Sequence, residues 1–157
     1  MAVVKTNAMR ILDKEKVEYE KLSYQTDDGK IDGVAVAHKI GREPGIVYKT
    51  LVSHANHNYY VFVIPVEQEL DLKKAAKAAG VKKIEMLPVK ELMSVTGYVR
   101  GGCSPIGMKK KFPTFIEQSA RLNNTIIVSG GKLGSQIELS PEKLVSVVRG
   151  ELADLIA

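Results

Sequence analysis

Two apolar runs, IVYKTLV at 46–52 and YYVFVIP at 59–65, stand on either side of the polar connection SHANHN. β-Branched and aromatic residues fill both runs, and the link between them is short and Asn-rich. The pair therefore predicts an antiparallel hairpin. One residue disturbs the first run: Lys49, a full charge amid strand-forming residues. Strand alternation places Val47, Lys49 and Leu51 on one face and Tyr48, Thr50 and Val52 on the other. Two readings of Lys49 are open. It can be an edge lysine that discourages strand-to-strand aggregation. It can instead aim an ammonium group into a site, to hold an anion or, with a lowered pKa, to act as a base or form a Schiff base.

The rest of the chain mixes helices and strands. Thr6 or Asn7 can cap a first helix carrying Met9, Ile11 and Leu12 on one side. Val17, Tyr19 and Leu22 alternate with charges as a strand does, and Asp27-Asp28-Gly29 makes a turn. Asp32 can cap a helix through Val34, Ala35, Ala37 and Ile40, stopped by Gly41 and Pro44. Leu70 to Ala79 predicts a helix that Gly80 ends. Lys83 to Met86 predicts a short strand, and Pro88 opens a helix through Glu91, Leu92 and Met93. Thr125–Ser129 and Gln136–Leu139 predict strands separated by GGKLGS. Ser140-Pro141-Glu142-Lys143 opens a last helix with Leu144, Val147 and Val148 on its apolar face, extended by Glu151, Leu152 and Leu155. The order lacks a regular βαβ alternation. The fold class expected is mixed α/β (α+β), one domain over 1–157 around a largely antiparallel or mixed sheet. No GxGxxG follows a strand and no GxxxxGK[ST] occurs, which disfavours a doubly wound nucleotide fold.

A chain of 157 residues suits one core. No apolar run reaches the roughly 20 residues of a membrane helix. The opening MAVVKTNAMRILDKEK lacks a small-residue cleavage site, an argument against a signal peptide. The single cysteine, Cys103, excludes an intramolecular disulfide and fits a reducing cytoplasm. Lys and Arg number 23 against 18 acids, a net charge of +5. The excess is mild, but Lys109-Lys110-Lys111 are consecutive, and Lys73, Lys74, Lys77, Lys82 and Lys83 crowd a second stretch. Such clusters admit a phosphate-rich partner without choosing between RNA, DNA, nucleotide and membrane surface.

Two glycine-rich loops are candidates for chemistry. In TGYVRGGCSPIGMKKK, at 96–111, Gly101-Gly102 frees the backbone for close ligand approach, Ser104-Pro105 stiffens the next turn and Gly107 loosens it again. Such a loop can turn several N–H groups on one anion or carbonyl oxygen. SGGKLGS, at 129–135, is the second. Either loop can equally be a plain hairpin connection. Cys103 invites reading as a nucleophile but has no histidine nearby in sequence, and a thiol is also a small filler. His38, His54, His57 and Cys103 match no zinc spacing.

VYKTLV, GVKKIEM, TGYVRGGCSPIGMKKK and IIVSGGKLG, in this order, resemble the YbaK/EbsC-type aminoacyl-tRNA deacylases, which are similar to the editing domain of prolyl-tRNA synthetase. The resemblance runs from the first helix to the last. It implies a mixed α/β domain around a curved, barrel-like sheet, with no cofactor and no metal. It implies cytoplasmic removal of a mischarged amino acid, above all cysteine on tRNA(Pro) and also on tRNA(Cys). Lys49 matches the family's strand lysine, expected to hold the terminal adenosine, its phosphate or the ester. Thr50 lies beside it, and Tyr24 matches a tyrosine at the pocket mouth. Gly101, Gly102, Ser104, Pro105 and Gly107 match the loop that holds the aminoacyl carbonyl, and Ser129 and Gly130 belong to the second loop. Gln136 stands where many members carry an acid, which bears on amino-acid preference. Cys103 falls at the loop's variable position, where members use apolar residues.

The implied mechanism uses the substrate's own thiol, which attacks its ester carbonyl and leaves as a cyclic thiolactone; positioning is then the main demand on the protein. The implied partners are the 3′-CCA end of an aminoacyl-tRNA and prolyl-tRNA synthetase. Two alternatives stay open: an alanyl- or other aminoacyl-tRNA deacylase of the same fold, and a non-catalytic tRNA- or nucleotide-binding module.

Overall fold

The computed structural model describes residues 5–157. The reading of the opening residues as lacking a cleavable leader rests partly on 1–4, which lie outside the described residues. The elements are α1 (Asn7–Lys14), β1 (Tyr19–Ser23), α2 (Gly33–Ile40), β2 (Tyr48–Ala55), β3 (Asn58–Pro65), α3 (Leu72–Ala79), β4 (Glu85–Met86), α4 (Val89–Thr96), β5 (Thr114–Glu117), β6 (Ile126–Ser129), β7 (Ser135–Leu139), α5 (Pro141–Val148) and β8 (Glu151–Ala153). They form a mixed α/β fold with two sheets, β1-β7-β6 and β4-β2-β3-β5-β8. The first is antiparallel. The second becomes parallel where β3 meets β5 and β5 meets β8. A parallel bridge between Val47 and Ile127 joins the two sheets, which stay open rather than closing into a barrel.

The helix caps follow from the sequence. Thr6 accepts from the Met9 amide, Asp32 from Ala35, Asp71 from Lys73 and Lys74, and Ser140 from Lys143. Each side-chain oxygen satisfies amides that have no partner within their own helix. Gly41 and Gly80 end α2 and α3 in the left-handed conformation.

β3 carries the fold because both its faces are covered. Val61 and Val63 join Met9, Leu12, Ile126, Ile137 and Leu144 in the larger core. Phe62 and Ile64 join Ala75, Ile84, Phe115 and Leu155 beneath α3. A strand buried on both sides reads as a continuous apolar run, which is what YYVFVIP is. Phe62 and Phe115 stack at 5.5 Å between ring centroids.

Two expectations change. The connection SHANHN narrows to Asn56 and His57, because Ser53, His54 and Ala55 continue β2 and Asn58 starts β3. Asn56 adopts φ +58°, which Asn tolerates, so two residues suffice for the turn. The extension of the last helix beyond Gly150 does not occur. Arg149 turns left-handed at φ +52°, and Glu151–Ala153 leaves as β8 to pair with the open edge of β5. Pairing satisfies backbone groups on that edge and brings Leu155 into the core, fully buried. β5 itself gives little warning, since four residues after KKKFP are too few to show a period.

Candidate active site

β2 is the strand on which the site is built. β3 flanks it along its whole length, with Lys49 opposite Ile64. On the other side β4 reaches only Ser53 and His54. The first half of β2 is therefore free of β4, and a cavity of about 430 Å³ lies along it, walled by Val47 through Leu51. Lys49 lines this cavity, and its ammonium forms no hydrogen bond or ion pair among the described residues.

Tyr24 faces Lys49's strand from the end of β1. Its amide donates to the Gly134 carbonyl, which extends the β1–β7 pairing by one residue. Lys39 sits over its ring, Nζ 5.9 Å from the centroid. The same ammonium donates to the Gln25 carbonyl, the Lys30 carbonyl and the Asp28 carboxylate. That bond holds the Asp28 carboxyl below the usual carboxylate range. Lys39 thus gathers the 25–30 turn and holds the tyrosine against the cavity. Tyr24 and Thr50 line the cavity, and their hydroxyls are buried without a hydrogen-bond partner among the described residues. Buried polar groups are nearly always paired, and an orphan costs on the order of 1–3 kcal/mol. Both orphans belong to residues of one cavity.

The glycine loops close the opposite wall. Gly101 lines the cavity and takes φ +83°. Gly102 packs backbone to backbone on the second loop: a Cβ there would lie 3.0 Å from the Lys132 Cα and the Leu133 amide. The Gly102 amide is used within its own loop, donating to the Val99 carbonyl, while the Gly101 and Cys103 amides have no acceptor among the described residues. Ser129 and Gln136, opposite each other on β6 and β7, complete this side. The Ser129 hydroxyl accepts from the Gly131 amide. The Gln136 side chain is 6% exposed and bonds to nothing among the described residues.

Tyr24, Lys49, Thr50, Gly101, Ser129 and Gln136 therefore line one cavity. Gly102, Ser104, Pro105, Gly107 and Gly130 do not line it; they shape the wall from behind. The Ser104 hydroxyl, fully buried, accepts from the Ile106 amide. Gly107, at φ +82°, lies so close to Asn7 and Tyr98 that a Cβ would come within 2.9 Å of both. The Tyr98 hydroxyl locks the loop by donating to the Ile106 carbonyl.

Several lining residues escaped the sequence reading: Ile31, Asp32, Gly33 and Val34 at the start of α2, and Arg100 on the first loop. The signal was present, because Asp32 reads as an N-cap and a helix start presents amides to an anion. Cys103 also lines the cavity. Burial pushes its thiol from 9.0 up to about 12, against a smaller lowering effect of a hydrogen bond with Thr96. Burial thus favours the neutral thiol at physiological pH, which argues against a nucleophilic role. Among the described residues, no three His, Cys, Asp or Glu side chains gather to hold a metal ion. The cations at the cavity are Lys49 and Arg100.

Residues 32–147 match the family model "Aminoacyl-tRNA editing domain". Over 152 residues, 96% of this chain and 93% of the relative, the sequence is 49% identical to "Putative Cys-tRNA(Pro)/Cys-tRNA(Cys) deacylase EbsC" of Enterococcus faecalis (strain ATCC 700802 / V583). Two solved structures share the fold. One is "Crystal structure of a putative trans-editing enzyme for prolyl tRNA synthetase", at 20% identity and TM-score 0.82, covering 98% of this chain and 99% of that one. The other is "Crystal structure of hypothetical protein APE2540", at 22% identity and TM-score 0.85, covering 94% and 97%. With the matched region holding every cavity-lining residue except Tyr24 and Ile31, the chain belongs to the aminoacyl-tRNA editing domain family.

Proposed function

We propose that the protein is a free-standing deacylase that removes cysteine from mischarged tRNA(Pro), and from tRNA(Cys), with the aminoacyl-adenosine end in the cavity beside Lys49. The observation that carries the reading is the pair of buried, partnerless hydroxyls on Tyr24 and Thr50, residues that line the same cavity as Lys49. A nucleotide ester supplies what each lacks: ribose hydroxyls and a carbonyl for the hydroxyls, a phosphate for Lys49. At about 430 Å³ the space suits a small-molecule end rather than a duplex.

The chemistry needs little from the protein. The substrate's thiol, once deprotonated, attacks its own ester carbonyl carbon. The bond to the ribose oxygen breaks, the oxygen takes up a proton, and the thiolactone departs. The amides of Gly101 and Cys103 are free to stabilise the developing oxyanion, an effect worth about 3–4 kcal/mol per good donor. Lys49 holds the substrate, and the cavity walls fold the cysteinyl side chain toward its ester. No protein nucleophile is required, in keeping with a Cys103 thiol that stays protonated.

The reading extends to action in the cytoplasm beside prolyl-tRNA synthetase, whose released product is the substrate. The alternative within the family, a deacylase for alanine or another amino acid, rests on the neutral Gln136 where many members carry an acid.

One panel tests the proposal. Purified protein is incubated with Cys-tRNA(Pro), Ala-tRNA(Pro) and Pro-tRNA(Pro), with and without Lys49→Ala. Fast loss of cysteine alone is expected. Deacylation no faster than buffer on all three sinks the reading, and activity on alanine replaces the thiol route.

A further inference from the structure

A second cleft, of about 490 Å³, lies at the other end of the same hairpin. His57, Tyr59 and Tyr60 form one side, and Lys109, Lys110 and Phe112 the other. None of its lining residues is acidic. Tyr59 stands edge-on to Phe112, ring centroids 5.5 Å apart at 70°. Phe112 packs on the larger core, while Tyr59 belongs to no core cluster, so the phenylalanine props a half-buried tyrosine at the cleft. Lys109 is held in place: its stem crosses Gly97 and its Nζ donates to the Ser94 carbonyl. Lys110 has no partner among the described residues.

The two clefts share their walls. β2 and β3 supply Val47–Leu51 to the first and His57–Tyr60 to the second. The loop after α4 supplies Arg100, Gly101 and Cys103 to the first and Lys109 and Lys110 to the second. From Lys49 to Ala55 the strand runs six residues, about 20 Å at roughly 3.3 Å each. At the ~3.4 Å rise of a stacked strand that is about six nucleotides, and fewer if the strand is extended.

We propose that this second cleft binds RNA backbone and an unstacked base of the same tRNA whose aminoacyl end fills the first. The inference rests on the deacylase reading. A propped aromatic ring beside two lysines suits a base on the ring and its phosphates on the ammonium groups. An acidic peptide would satisfy the lysines and leave Tyr59 without a role. In this arrangement the second cleft contributes affinity for the RNA, and the chemistry stays at the first.

The experiment compares wild type with Tyr59→Ala and with Lys110→Glu. Three readouts are taken: deacylation of full-length Cys-tRNA(Pro), deacylation of cysteinyl-adenosine, and binding of uncharged tRNA across a salt series. KM for the tRNA should rise about tenfold with kcat within a factor of two, stacking and phosphate contacts being of that size. The adenosine ester should be cleaved at the wild-type rate. Lys110→Glu should also weaken uncharged tRNA and lower its salt slope by about one. Unchanged KM and unchanged tRNA affinity in both variants overturn the proposal. So does equal loss on the adenosine ester, which would mark damage to the first cavity, and so does preference of the wild-type cleft for polyglutamate over RNA. If wild type cleaves neither ester, the deacylase reading fails, and the uncharged-tRNA binding still decides the second cleft.

Discussion

Gly102 lies against Lys132 so closely that a single added carbon would sit 3.0 Å from the Lys132 Cα. Two loops thirty residues apart in the chain are thereby in backbone contact, and Gly101 is set at the cavity. Backbone cannot swing aside as a flexible side chain can. Gly102→Ala should therefore push the loops apart at a cost of about 1–3 kcal/mol. The expected result is a lower thermal midpoint and a fall in kcat larger than the rise in KM, because the displaced amides serve the transition state more than the ground state. Thermal unfolding and steady-state kinetics on Cys-tRNA(Pro) measure both. A variant with wild-type kcat would separate Gly102 from the positioning of Gly101.

This contact also shows where the sequence stops being legible. The hairpin, the caps at Thr6, Asp32 and Ser140, and the stops at Gly41 and Gly80 depend on neighbours within a few residues, so local pattern reveals them. Lys49 and the two glycine loops stand out by local pattern, but Tyr24, Thr50 and Gln136 rest on resemblance, because nothing local says that they meet Lys49. β8 was hidden for the same reason: its only reason to be a strand is the open edge of β5, far away in sequence. Gly102 and Gly107 look like binding glycines, and at each the space for a Cβ is taken by neighbouring atoms; a motif records that a side chain is forbidden without recording what forbids it. The Cys103 thiol is raised by burial, as a small filler's would be, yet Cys103 borders the cavity.

Tyr24→Phe and Thr50→Val remove hydroxyls that the empty protein leaves unsatisfied. Neither change breaks a bond among the described residues, and threonine and valine are close in shape. Each variant should be as stable as wild type, or more stable by up to about 1 kcal/mol. Each should lose about 5- to 30-fold in kcat/KM, the worth of one hydrogen bond to substrate. Denaturant unfolding and kinetics on the same preparation check the opposite signs. Loss of stability in both would mean that the hydroxyls serve the fold instead.

Lys49→Ala should leave folding intact, because the ammonium has no partner within the described chain. Substrate binding should weaken by about 10- to 100-fold, the range for a charge-assisted hydrogen bond. Lys49→Arg should recover part of this, since charge returns but the planar fork differs from a point ammonium. Titration with AMP, monitored by calorimetry, reads the loss without needing turnover. If Lys49 guards an edge instead, AMP affinity and kcat stay at wild type and Lys49→Ala aggregates.

Burial raises the Cys103 thiol to about 12 and the Tyr98 phenol to about 12. Both groups are neutral in the folded protein at physiological pH, and both ionise earlier once unfolded. The sign is therefore fixed: their contribution to stability is fully present below pH 9, and is lost as pH rises from about 9 through about 12. Urea unfolding at stepped pH should show this decline, and Cys103→Ala should flatten part of it. The same neutral thiol predicts slow alkylation of the folded protein by iodoacetamide at pH 8, fast alkylation in urea, and undiminished deacylation of Cys-tRNA(Pro) by Cys103→Ala. An inactive Cys103→Ala that folds normally would give the protein's own thiol a role in the chemistry and end the substrate-thiol route.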